Sequence, residues 1–154
     1  MKAIVLDVKD VKSSVDQLVA QGFDDIIVFS RGEVDLDRGY YSLNGVKALT
    51  VKSHGCERTA EMLLKIKGSL EKRFLLVYSE GAFLFDLEEA EKIHTEKQVT
   101  VSLLEWEFSL CAAICESEIL DYIFEKSVSF EREVLSRVGQ EGELFIIEQK
   151  NQTV

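Results

Sequence analysis

No proline occurs among the 154 residues of this sequence. Usage near ~5% is typical, so several would be ordinary at this length. Helix ends and turns must then rely on glycine and on capping side chains. Glycine is also missing where it would matter most, since the first one is Gly22. No glycine-rich loop can therefore close its N–H groups on a phosphate directly after the first apolar segment. Basic charge is scarce, with 18 Lys and Arg against 28 Asp and Glu, a formal net charge of −10. That balance disfavours nucleic acid, whose binding requires neutralised phosphates. It disfavours anionic membranes for the same reason. No apolar run approaches the ~18 residues that would span a bilayer. The start, MKAIVLDVKD, lacks the basic, apolar and small-residue pattern of a secretory signal, so a cytoplasmic location is expected. The three cysteines, Cys56, Cys111 and Cys115, are an odd number, which suggests free thiols.

Apolar residues make up 46% and charged residues 30% of the chain, enough for one globular domain with a real core. That domain is expected over residues 1–148, followed by a polar tail, 149–154. KAIVL (2–6) reads as a buried strand. Val11, Val15, Leu18 and Val19 recur at helical spacing, with Ser13 or Asp10 as cap and Gly22 as stop. IIVF (26–29) is a second buried strand, which completes a βαβ unit with parallel pairing. Residues 31–45 read as a long polar loop carrying Tyr40 and Tyr41. VKALTVK (46–52) alternates as a more peripheral strand, and 59–67 follows as a helix. RFLLVY (73–78) is a buried central strand ending at Ser79-Glu80-Gly81, and Asp86 with Glu89 forms a capping box before the next helix. Residues 99–108 and 109–115 read as strands. In the first, Leu104, Trp106 and Phe108 share a face; in the second, Cys111 and Cys115 do. A helix capped by Ser129 and closed by Gly139, then a strand over 143–148, complete the chain. Alternating strands and helices give an α/β fold, a three-layer sandwich around a mostly parallel mixed sheet.

The order and wording of these segments resemble the sugar-phosphate nucleotidyltransferase family, the enzymes that join a nucleoside triphosphate to a sugar 1-phosphate. MKAIVL is similar to that family's first strand, and LVAQGFDDIIVF to its next helix and strand. GVKALTVK with ERTAEMLLKIKGSL is similar to the segment around its Gly-Thr-Ala motif. RFLLVYSEGAFLFDLEEAEKIHTEK is similar to the segment that carries its metal-binding Gly-Asp. ICESEILDYI and SFEREVLSRVGQEGELFIIE are similar to its late helix–helix–strand segment. The resemblance implies a nucleotide-diphospho-sugar-transferase-like fold. It also implies that Mg²⁺ would be the cofactor of an active member. The family's glycine loop, its proline-bearing segment with a catalytic lysine, and its second metal-binding aspartate have no counterpart here. Its Gly-Thr-Ala becomes Arg58-Thr59-Ala60, and its Gly-Asp becomes Ser79-Glu80 or Glu80-Gly81.

The expectation is therefore a degenerate, non-catalytic member that needs no cofactor. It would bind a nucleotide-sugar-like ligand, pair as a homodimer, or assist an intact nucleotidyltransferase partner. Its candidate residues are few. Glu80 is a metal ligand or an exposed turn carboxylate. Lys9 replaces the lost lysine or is solvated, and Asp7 pairs with Lys9 or meets a ribose hydroxyl. Lys52, His54, Arg58 and Thr59 form a small phosphate-attracting patch at a helix start. A zinc site would need Cys56 and His54 to converge with Cys111 and Cys115; core thiols are the simpler reading. The Trp106–Phe108 stripe is core or a partner surface.

Overall fold

The structure, a computed structural model, describes residues 1–6, 11–30, 40–43, 46–52, 59–123 and 129–149. Asp7, Lys9, His54, Cys56, Arg58 and the tail beyond Gln149 lie outside them. Among the described residues eight strands form one sheet: β1 (Lys2–Leu6), β2 (Asp25–Ser30), β3 (Tyr40–Leu43), β4 (Val46–Lys52), β5 (Arg73–Val77), β6 (Val101–Trp106), β7 (Ser109–Glu116) and β8 (Leu144–Gln149). Their order is β3-β4-β2-β1-β5-β7-β6-β8. β1 pairs in parallel with β2 and β5, β2 with β4, and β6 with β8; β3, β5 and β6 each pair antiparallel with β4, β7 and β7 respectively. The carboxyl ends of β1, β2, β4, β5, β6 and β8 thus share one edge of the sheet. The strand order reverses between β1 and β5, so the crevice between their carboxyl ends is where α/β folds of this kind bind ligands.

Among the described residues four α-helices cover the faces: α1 (Val11–Ala20), α2 (Thr59–Lys65), α3 (Leu87–Lys97) and α4 (Leu135–Gln140). Alternation along β1 decides the layers. Ala3 and Val5 join Val15, Leu18, Leu87 and Ala90 in a core against α1 and α3. Ile4 and Leu6 join Ala60, Leu63, Val134 and Val138 in a core against α2 and α4. Both cores are built from strands buried on two faces, as parallel strands require. α1 closes on Gly22, at φ +94, with Phe23 N–H bonded to Leu18 O and Gly22 N–H to Val19 O, a Schellman end. Asp86 Oδ1 caps α3 by accepting from Glu89 N at 3.2 Å.

The structure corrects several local expectations. Ser13 lies inside α1 and accepts from Gln17 Nε2, so it is no cap. Tyr40 and Tyr41 belong to strand β3 rather than a loop. Gly139 lies within α4; the stop is Gly142, at φ +74, with Glu143 N–H bonded to Val138 O. A single turn of π-helix, Phe130–Val134, precedes α4, and Ser129 caps it by accepting from Arg132 N. Cys111 and Cys115 do not share a face. Leu104 pairs with Ala112 but Glu105 pairs with Leu110, so Cys111 is the extra residue of a β-bulge. The bulge shifts the alternation, and Cys111 packs toward α1 and α3 while Cys115 packs toward α2 and α4. The pair cannot chelate one ion as the spacing of four suggested. β6 also ends at Trp106. Phe108 leaves the strand in a two-residue hairpin, so the stripe of Leu104 and Trp106 does not extend to it.

Candidate functional site

The bulge positions the turn that follows the central strand. Tyr78 N–H and Ser79 N–H both donate to Cys111 O, at 2.9 and 3.3 Å. This double contact turns the chain sharply at Ser79 and starts a 3₁₀ turn over Glu80–Leu84. A Cβ built on Gly81 would lie 2.6 Å from Cys111 Sγ and 3.3 Å from Ser79 Oγ. A side chain at this position would need the neighbouring thiol to shift. Cys111 Sγ itself is directed to Ser109 O at 3.4 Å.

Glu80 opens the 3₁₀ turn and is exposed. Thr59 is buried at the first position of α2, and its hydroxyl donates to Glu131 Oε1 at 2.7 Å. Tyr78, one residue past β5, donates its hydroxyl to the same oxygen at 3.0 Å. Glu131 comes from the π-helical turn, so three segments far apart in sequence meet at the carboxyl edge. Burial, then the Glu131 charge, pushes the Tyr78 phenol well above its ordinary range. Of the candidates legible in the sequence, Thr59 and Glu80 are described. Thr59 joins Tyr78 and Glu131, neither of which stood out, because no periodic pattern links residues 53 and 72 positions apart. The one usable signal was an acidic residue in the first turn after the Ser129 cap.

At the helix start, the Thr59 hydroxyl is engaged within the protein. A carboxylate from the protein itself already meets it. Mg²⁺ is held by carboxylates near a substrate phosphate. Here Glu80 is one exposed carboxylate, while Glu131 accepts from two hydroxyls. Among the described residues no group of three or more His, Cys, Asp or Glu converges on a metal-binding geometry.

A second polar cluster lies at the opposite, amino edge. His94 of α3 has Nδ1 2.6 Å from Ser102 Oγ and Nε2 3.1 Å from Glu116 Oε1. Arg73 donates to that same Glu116 oxygen at 2.6 and 2.8 Å, and to Thr95 Oγ1 at 2.9 Å. An ionised carboxylate only accepts, so Nε2 carries the proton and Nδ1 accepts from Ser102. The serine–histidine–glutamate order is that of a hydrolase triad. Ser102 is fully buried in β6, however, where no substrate reaches it. The cluster ties α3 to the sheet. Burial, with the nearby Arg73 charge, lowers the His94 pKa, against the opposing hydrogen bond to Glu116.

No protein-family model and no curated protein matches the chain by sequence. Solved structures do match its shape. A UDP-glucose pyrophosphorylase from Acinetobacter baumanii superposes with TM-score 0.67 at 8% identity, over 95% of this chain and 85% of that one. A putative nucleotide-diphospho-sugar transferase from Desulfovibrio desulfuricans G20 gives 0.60 at 11% identity, over 99% and 81%. The fold is that of the nucleotide-diphospho-sugar transferases. Rv0371C from Mycobacterium tuberculosis H37Rv, solved as a complex with manganese, gives 0.61 at 12% identity, over 97% and 88%. Identities this low establish the shared fold and leave the chemistry to the residues of this chain. Among the described residues no helix is long and apolar enough to cross a membrane.

Proposed function

We propose that this protein is a nucleotidyltransferase-like binding module that does not itself transfer nucleotides. It holds a nucleotide-sugar-like ligand or a protein partner, as a regulatory or assembly subunit beside an intact nucleotidyltransferase. The observation that carries the reading is Glu131, whose carboxylate takes the hydroxyls of Thr59 and Tyr78 beside the carboxyl end of β5. Phosphoryl transfer depends on positioning and on neutralising negative charge. Here the chain adds negative charge, with Glu80 and Glu131 near a crevice in a molecule of net charge −10. The sequence offers no glycine before Gly22 to cradle a phosphate, and Arg58 stands where the resemblance expects a glycine.

One observation favours a second reading. A structural neighbour is a manganese complex, and an active minimal enzyme would use Glu80 for Mg²⁺ or Mn²⁺ and Lys9 or Arg58 for phosphate. Thermal unfolding with nucleoside triphosphates, sugar phosphates and nucleotide sugars, with and without Mg²⁺ or Mn²⁺, separates the two. A module without catalysis is stabilised by a nucleotide sugar, or by none of these, independently of metal. A triphosphate at 100 times its Kd that adds about 2.7 kcal/mol only when metal is present would overturn the proposal.

A further inference from the structure

Among the described residues three large apolar side chains are exposed: Leu84, Phe108 and Ile146. Phe108 is the extreme case, at 90%. It sits at the tip of the β6–β7 hairpin beside Glu107, and both residues have positive φ, +66 and +47. A two-residue hairpin of this type favours Asn-Gly or Asp-Gly, since side chains resist that backbone region. A bulky aromatic there is a genuine outlier. Strain of this kind clusters at sites of function. Phe108 packs on none of the described core residues, so no apolar contact among them repays its own strain.

The surroundings define what would. Phe83, Trp106 and Ile147 are half-buried at the margin of the core under α1 and α3, which leaves an apolar margin near the tip. The described charged residues beside the tip, on β6, at the end of β8 and in the turn after β5, are carboxylates: Glu105, Glu148 and Glu80. Glu105 and Glu148 are register partners on neighbouring strands. The same hairpin carries the Cys111 carbonyl that fixes Tyr78 and Ser79, so the tip is joined by one strand to the candidate ligand edge.

We propose that this hairpin tip is a docking element: Phe108 inserts into an apolar pocket rimmed by Lys or Arg on a partner protein. The acidic corner supplies electrostatic complementarity, which governs partner choice and encounter rate. A second copy is the poorer occupant, because a two-fold contact would set the same carboxylates against one another. An anionic bilayer is repelled likewise. The inference stands whether or not a nucleotide sugar binds at the β1–β5 crevice.

The test uses the full chain and two synthetic amphipathic helices, one of leucine and lysine and one of leucine and glutamate, read by calorimetry. The lysine peptide binds the wild type, and its affinity falls with added salt. The double variant Glu107→Asn/Phe108→Gly gives the turn its preferred residues, so the protein remains folded by circular dichroism while affinity drops roughly tenfold or more. Phe108→Trp retains binding. Equal binding by the double variant, or equal binding of the glutamate peptide, overturns the proposal. So does a wild-type dimer in sedimentation that the double variant converts to monomer, since that assigns the tip to a second copy.

Discussion

Replacing Gly81 by alanine asks whether the turn after β5 is fixed by packing or kept open for a ligand. The new Cβ would start 2.6 Å from Cys111 Sγ. Relaxed apolar contacts lie near ~3.5–4.0 Å, so the overlap approaches 1 Å. The thiol has little room to retreat. Cys111 is 3% exposed, and its carbonyl is bound by two N–H groups of the turn itself. Overpacking of this kind costs about 1–3 kcal/mol. Gly81 does not have a positive φ. Alanine therefore also recovers about 0.4–1 kcal/mol by restricting the unfolded chain. The net loss is about 1–2 kcal/mol, or a Tm lower by roughly 2–8 °C for a domain of this size. Calorimetric or circular-dichroism melts of Gly81→Ala, Cys111→Ala and the pair measure it. The clash predicts that Cys111→Ala rescues Gly81→Ala, with a coupling above ~0.5 kcal/mol. A Gly81→Ala melt equal to wild type, or strictly additive losses, would refute the packing account and return Gly81 to the role of a backbone approach for a ligand.

Other expectations follow from the same geometry. The His94 pKa is lowered in the folded state, so the unfolded chain binds the extra proton. Stability from this residue is full above the unfolded value near ~6.5 and is lost as pH falls from there through the folded value. Compared with wild type between pH 7.5 and 5, a His94→Gln variant should lose less stability on acidification; an identical pH slope would contradict the buried neutral histidine. Glu131→Gln removes the charge beside Tyr78, and a difference titration of tyrosinate absorbance should show one phenol ionising at lower pH than in wild type. An unchanged titration would mean that Glu131 does not sit on Tyr78 in solution. Glu107→Asn/Phe108→Gly relieves two strained positions and should raise stability by about 1 kcal/mol in thermal melts; a loss would show that Glu107 or Phe108 makes a stabilising contact within the monomer.

Periodicity carried much of the fold. The apolar runs of β1, β2 and β5, the 3.6-residue stripe of α1 and the Asp86–Glu89 cap of α3 all stand where the sequence puts them. Each is a local pattern written by neighbours a few residues apart. What escaped was non-local or broke a period. The Cys111 bulge inserts one residue into β7, so a count of four no longer returns to the same face. The Glu107-Phe108 turn has no glycine or asparagine to announce it, so the expected strand 99–108 runs two residues past the end of β6. Before β4 the case is the opposite: Asn44-Gly45, the strongest pair for a two-residue hairpin, lies between β3 and β4 in sequence, inside the expected loop 31–45. At the candidate site, Thr59 and Glu80 were legible because they follow turns. Their relation to Tyr78 and Glu131 depends on how α2 and the π-helical turn pack on the sheet, which no single segment encodes. Asp7, Lys9, His54 and Arg58 lie outside the described residues.

As proposed, the carboxyl edge keeps the scaffold of a nucleotide-diphospho-sugar transferase without its chemistry. The direct measurement is pyrophosphate release from a panel of nucleoside triphosphates and sugar 1-phosphates, with Mg²⁺ or Mn²⁺, by the purified full chain. A non-catalytic module gives release no faster than in a matched blank without protein. Release by the wild type that Glu80→Gln abolishes would contradict it and make this chain an enzyme.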